Sequence, residues 1–388
     1  MKSSTLFRFA SAGAIAGVLA LVGCKDQITG DNTAGPAAGV LSSSHDAHSH
    51  SMGKERFVSA TQFNLVANNG SFTGARVDPN LMNGWGISVT PTGIFWLSSN
   101  GAGVSVVYNN DGSQRRAPVT IPAPGSASGG TPSGVLFNGT TTFLIKDSNA
   151  PARFIFSTED GTIAAWNAGN SAVIVADRSG EHAIYKGVAM GGTGSRHFLC
   201  ATDFYNGKVD VFDENFQFVT DRLFRDREIP EGYAPFGIRD FNGFIVVTYS
   251  KQKLPEKKDD EAGPGFGFVD VFNPAGHLVH RIGSHGTLNS PWGLELSRVG
   301  ESGEDESHEG VLYVGNFGDG KVSLFTMNGK FLGLLKDAKG KPVVIDGLWG
   351  LSFDQLATDQ NKLFFTAGPN DENDGLFGYL MLNPSDQD

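Results

Sequence analysis

Six short phrases in this chain open an apolar run in the same way, and the residue at the head of each is where chemistry would gather. The phrases are NGWGISV, TPSGVLF, AIYKGVAM, APFGIRD, SPWGLEL and GLWGLSF, and the residues before their shared glycine are Trp85, Ser133, Lys186, Phe236, Trp292 and Trp349. Trp85, Phe236, Trp292 and Trp349 offer broad planar surfaces suited to a sugar, an aromatic molecule or a peptide. The same rings could equally wedge between neighbouring repeats. A second set, Asn100, Asp147, Asp203, Asn316 and Asn370, follows apolar runs in the intervening loops. No cofactor is predicted from the sequence, although carboxylate and amide oxygens converging at the channel mouth could coordinate Ca²⁺. In SSNGAG, ATDFYNG and VGNFGDG, however, such residues also make turns by bonding to their own backbone.

Patterns that would signal catalysis are missing from the sequence. There is no G-x-S-x-G, no P-loop, no H-E-x-x-H and no C-x-x-C. NDENDG, from Asn370, opens like a calcium loop, but its twelfth position is Met381 where a bidentate Glu is required. His182, His197, His277, His280, His285 and His308 have no metal-ligand spacing, and His277 and His280 fall on opposite faces of an expected strand. No catalytic residue is assigned from the sequence.

The elements that must position these residues form a repeat. GVLYVGNFGDGKVSLFTMNGKFLG, from Gly310, matches the pattern of GIFWLSSNGAGVSVVYNNDGSQ, HFLCATDFYNGKVDVFDENFQFV and FIVVTYS…GFVDVFNPAGHLV. Each is a set of Val-, Ile- and Phe-rich runs separated by NG, DG or GG turns, the mark of hairpin-linked antiparallel strands. The six glycines recur every 48 to 57 residues or so, in the range of propeller blades. One blade cannot bury both its faces, so blades must stack, and closing them into a ring removes the exposed edges. The expected fold is an all-β, six-bladed propeller spanning 57–384. The run Phe57–Val66 should supply the strand missing from the last blade, whose third strand is Leu376–Leu382. Ring closure would bring both residue sets to one mouth of the central channel, rimmed by the insertion Lys251–Gly265. Polar and bounded by Gly and Pro, that insertion is expected to be a mobile gate rather than part of a blade. With 52 Gly, 29 Phe and 18% charged residues, the composition suits a turn-rich all-β domain.

Ahead of the ring, residues 1–23 read as a signal peptide, with Lys2 and Arg8 before a short apolar run. The run ends in LVGC, a lipobox pattern that marks Cys24 for lipidation, and acyl chains there would hold the protein to a bilayer. Lys25, standing where an Asp favours inner-membrane retention, directs the expectation toward the outer membrane of a bacterial envelope. Residues 24–56 form a Gly-, Ser- and Ala-rich tether. In it, His45, His48 and His50 could hold a zinc or copper ion, or be chance histidines of a solvated linker. The other cysteine, Cys200, sits in an apolar run and reads as a small core residue. The net charge of −11, or −13 once Lys2 and Arg8 are removed, argues against nucleic acid.

The phrases SPWGLEL…GVLYVGNFGDGKVSLFTMNGKFLG and APFGIRD…GFVDVFNPAGHLV resemble NHL-type repeats. More narrowly, NLVANN…DPNLMNGWGIS, TPSGVLFNGT and GLWGLSF…LFFTAGPNDENDGLFG are similar to an uncharacterised family of exported bacterial six-bladed propellers, many of which end in a PEP-CTERM anchor. The expectation is that this chain departs from many members, using the lipobox in place of a C-terminal anchor. The resemblance implies fold and export and transfers no activity. Two functions are compatible with it. One is a monomeric, non-catalytic propeller that recognises an envelope protein, a glycan or a small molecule at its mouth. The other is a metal-dependent hydrolase or lyase of the lactonase or esterase kind. Lactonase-type propellers carry a Glu on the first inner strand. WGISV and SGVLF have none, and the inner-strand carboxylate singled out is Glu295 in WGLEL, which favours binding.

Overall fold

The computed structural model describes residues 59–146, 148–193, 196–297, 310–356 and 361–383. The signal-peptide and tether features, with Cys24, His45, His48 and His50, lie outside the described residues, and so does Asp147.

Six sheets, antiparallel except where the short strand Arg76–Val77 runs parallel to Ser59–Ala67, are arranged as the blades of a propeller. Their inner strands are Gly84–Val89, Pro132–Phe137, Tyr185–Thr193, Tyr233–Phe241, Pro291–Leu296 and Leu348–Phe353, numbered here as blades 1 to 6. Blades 1 to 5 each take four consecutive main strands from the chain, apart from small inserted hairpins. Blade 6 takes three and is completed by Ser59–Ala67, which pairs antiparallel with Leu376–Asn383 from Ser59↔Asn383 to Ala67↔Leu376. The propeller is therefore closed by its N-terminal strand.

Aromatic contacts hold neighbouring blades together. Trp96 of blade 1 stacks on Phe154 of blade 2 at 3.9 Å, and Phe95 meets Phe364 of blade 6 at 4.3 Å. Cys200 lies in the core between blades 3 and 4, fully buried, and burial raises its thiol pKa.

Why every inner strand carries a glycine is a matter of clearance. A Cβ on Gly293 would lie 2.5 Å from the Trp349 carbonyl oxygen of the next blade, and one on Gly350 would lie 2.9 Å from the Trp85 carbonyl oxygen, closing the circle. Gly237 meets the Trp292 carbonyl oxygen more closely still. The inner strands thus approach one another at a spacing that only glycine permits. One residue further on, Ile87, Val135, Val188, Ile238, Leu294 and Leu351 are all buried and all face the central cavity, making an aliphatic collar with one member per blade.

Candidate functional site

The start of each inner strand lies beside the end of the second strand of its blade. Gly84 pairs with Ser99, Pro132 with Thr158, Tyr185 with Asp203 and Pro291 with Asn316. Residues that open inner strands and residues that follow second strands therefore share one mouth.

The structure brings the four predicted aromatic residues together there. Trp349 is sandwiched between Trp85 and Phe317, each at 3.9 Å, and meets the edges of Trp292 and Phe236, each at 5.8 Å. Trp85, Phe236 and Trp349 are at most 2% exposed, so their faces are turned to one another. Trp292 is half-buried, lines the cavity beneath, and donates from Nε1 to the Lys186 carbonyl at 3.0 Å. The set forms a plug.

In the third blade the plug carries a charge. Lys186 is 2% exposed, with Nζ 2.6 Å from Glu159 Oε1 and 4.9 Å from the face of Trp85. Asn100 donates to the other oxygen of Glu159 at 2.9 Å. Burial alone would lower the Lys186 pKa, but Glu159, followed by Asp259 and Asp260, outweighs it and raises the value. Burial likewise opposes ionisation of Glu159, and Lys186 reverses that and lowers the carboxyl pKa. The two are a mutually dependent ion pair.

Trp349 Nε1 donates to Asn83 Oδ1 at 2.9 Å, and Asn83 Nδ2 donates to Glu372 at 2.8 Å. Glu372 is delivered by NDEND, in which Asn370, Asp371 and Glu372 all have left-handed backbones (φ 57°, 51° and 64°). Non-glycine residues adopt that region at a cost, and here the turn is held by Glu372 N–H to the Gly368 carbonyl at 3.1 Å.

Other predicted residues are bound into their own loops. Asp203 accepts from Asn206 Nδ2 at 2.7 Å and from the Ile184 N–H, and burial pushes its carboxyl up to about 6. Asn316 accepts from the Asn289 N–H and donates to the Thr287 carbonyl and Ser323 Oγ. In the second blade, the residue in the position assigned from sequence to Asp147 is Glu159. The stretch FLIKDS reads like a second strand, yet it contributes to a small hairpin, Leu144–Ile145 with Ala150–Pro151. The true second strand is Phe154–Thr158, and FIFSTEDGTIAAW, with its DG turn between apolar runs, carries the signal that locates it. The insertion Lys251–Gly265 has a backbone ladder of its own. Lys253 N–H donates to the Asp259 carbonyl and Glu261 N–H to the Lys251 carbonyl, both at 2.8 Å, and Asp259 reaches to 3.8 Å from Lys186.

Beneath the plug lies a cavity of about 610 Å³. Its wall is the aliphatic collar, and its polar lining includes Ser88, His197, Arg239 and Asp240. Arg239 spans three blades, donating from Nη1 to the carbonyls of Leu294 (3.0 Å) and Leu351 (2.8 Å) and from Nη2 to Glu295 at 2.8 Å. Glu295 also accepts the Leu296 and Phe353 N–H groups. The inner-strand carboxylate singled out in the sequence is therefore saturated by a cation and two amides. Among the described residues, no three His, Cys, Asp or Glu side chains are grouped to hold a metal ion. Sequence reasoning passed over this cavity, although the apolar residue after each glycine was its signal.

No protein-family model matches the chain. It is 30% identical to uncharacterized protein R648 of Acanthamoeba polyphaga mimivirus over 339 residues, covering 84% of this chain and 82% of that one. It is 29% identical to uncharacterized protein L690 of the same virus, over 85% and 88% of the two chains. Both relatives are viral, whereas the sequence resemblance pointed to exported bacterial proteins. Among solved structures, virginiamycin B lyase from Staphylococcus aureus aligns with 84% of this chain and 99% of its own, at 14% identity and a TM-score of 0.49.

Proposed function

Since this chain belongs to the family of uncharacterized protein R648 of the mimivirus, a name that brings no activity with it, we propose a function from the channel itself: a non-catalytic binding propeller that takes up a small, largely apolar molecule. The observation that carries this reading is the cavity of about 610 Å³, walled by six aliphatic side chains and capped by Trp292. Its size and lining are those of a small-molecule pocket. A glycan laid on open aromatic faces is less well supported, because three of the four plug rings are covered by their neighbours. A metal-dependent hydrolase has no grouped ligands among the described residues to support it.

The experiment is a titration with the uncharged probe N-phenyl-1-naphthylamine, read by probe emission and by quenching of Trp292. Saturable one-to-one binding is expected, and it should be lost in Val188→Trp, which fills the collar. Val77→Trp, on an exposed strand, serves as the control. Equal binding by both variants, each melting cooperatively, would refute the reading.

The same proposal places the propeller on a bacterial envelope, tethered through lipid on Cys24. Mass spectrometry of the N-terminal peptide and fractionation of Cys24→Ser test this part. An unmodified peptide with unchanged membrane association would overturn it.

A further inference from the structure

The collar cannot discriminate among apolar molecules, so any selectivity of the channel must come from its charged lining. Arg239 offers little to a ligand. Two backbone carbonyls and Glu295 already accept from it, and the Arg239–Glu295 pair is neutral as a unit. His197 is paired too, with Nδ1 3.2 Å from Glu214 Oε1 and its backbone N–H donating to the same oxygen at 2.8 Å. Whether or not that imidazole is protonated, the pair is neutral or negative.

Asp240 differs from both. It lines the cavity, and its hydrogen bonds are to the backbone N–H of Gly243, the shorter at 3.1 Å. Among the described residues no cation lies within ion-pair distance of it. Burial raises its carboxyl pKa, which the Gly243 amide and the neighbouring Arg239 offset only in part. This is a carboxylate short of counter-charge.

We propose that the channel selects ligands with a positive charge at one end: the apolar body fills the collar, and a protonated amine or quaternary ammonium group meets Asp240. The inference rests on the channel being the binding site. An incoming cation would pair with Asp240 without displacing a resident partner, whereas an anion would face Asp240 and find Arg239 occupied. The net charge of −11 adds long-range attraction of the same sign.

The test uses three probes of equal chain length, octylamine, octanol and octanoate, titrated into the full chain at neutral pH by calorimetry. Octylamine should bind about tenfold more tightly than octanol, the effect of one charge-assisted contact, and octanoate should bind weakest. In Asp240→Asn the amine-to-alcohol ratio should fall close to one, and thermal melting confirms that this variant is folded. If amine and alcohol bind equally, or the amine preference survives in Asp240→Asn, the inference fails, while the channel reading stands so long as Val188→Trp abolishes octanol binding. If no probe binds and Val188→Trp changes nothing, both fail.

Discussion

Trp349→Ala tests whether the aromatic layer is a structural plug. The indole is 1% exposed and stacks on both faces at 3.9 Å, so truncation leaves a cavity that Trp85 and Phe317 cannot both fill. Removing a buried Trp costs about 3–5 kcal/mol, and two stacking partners place this one near the upper end. Asn83, itself buried, loses the donor to its Oδ1, for roughly another 1 kcal/mol. A loss of about 5 kcal/mol is a large part of the ~5–15 kcal/mol available to a folded domain. At about 2 °C per kcal/mol for a chain of this size, the melting temperature should drop by roughly 10 °C. Trp292→Ala, at a half-buried ring, should cost clearly less. Scanning calorimetry of the two variants beside the parent is the assay. A shift below about 2 °C for Trp349→Ala would refute the plug and return the rings to the role of an open binding surface.

Three further outcomes are expected. Gly237→Ala should lower stability by about 1–3 kcal/mol or more because its Cβ collides with the Trp292 carbonyl, whereas Gly70→Ala, with open space around it, should be near neutral in the same denaturant titration. Lys186→Met should cost about 3–5 kcal/mol by leaving Glu159 buried without its cation, and adding Glu159→Gln should recover much of the loss in a double-mutant cycle. Asp270, pushed up to about 7 chiefly by burial, with Arg281 opposing and Asp226 adding to the shift, binds its proton more tightly folded than unfolded. Its contribution is therefore complete below an unfolded pKa of about 3.9 and is lost as pH rises through 7. Melts from pH 4 to 8 should show Asp270→Asn gaining on the parent as pH rises, and a constant difference would contradict the assignment.

The ring was legible because its punctuation is local. Glycines at a blade-length interval and NG or DG turns are dictated by backbone sterics that leave a mark in the sequence, as do the unmatched strands that close blade 6. The mouth was legible in position but not in state. The sequence puts Trp85, Trp292 and Trp349 at equivalent sites, yet whether such rings face a ligand or one another depends on how closely the inner strands converge. That clearance is set by Gly237 and Gly293 against backbone several dozen residues away. The counter-ion of Lys186 was hidden for a related reason, since Glu159 joins it across two blades while FLIKDS imitated the strand that should precede it. The ladder within Lys251–Gly265 is made by main-chain groups and needs no apolar alternation, so side-chain pattern could not reveal it.

Closure by Ser59–Ala67 also sets an order in time. The pairing joins segments at opposite ends of the propeller, as in the Asn68–Asp374 side-chain bond across 306 residues. Loop-closure entropy must be met before such a contact gives anything in return, and non-local pairing slows folding accordingly. During synthesis the first five blades can form from neighbouring hairpins, but they remain an open arc until Leu376–Asn383 has been made. The arc lacks the Gly350–Trp85 contact and the blade 1–blade 6 core, so both its flanks are unsupported. A chain of this topology completes its native state as nearly its last act of biogenesis.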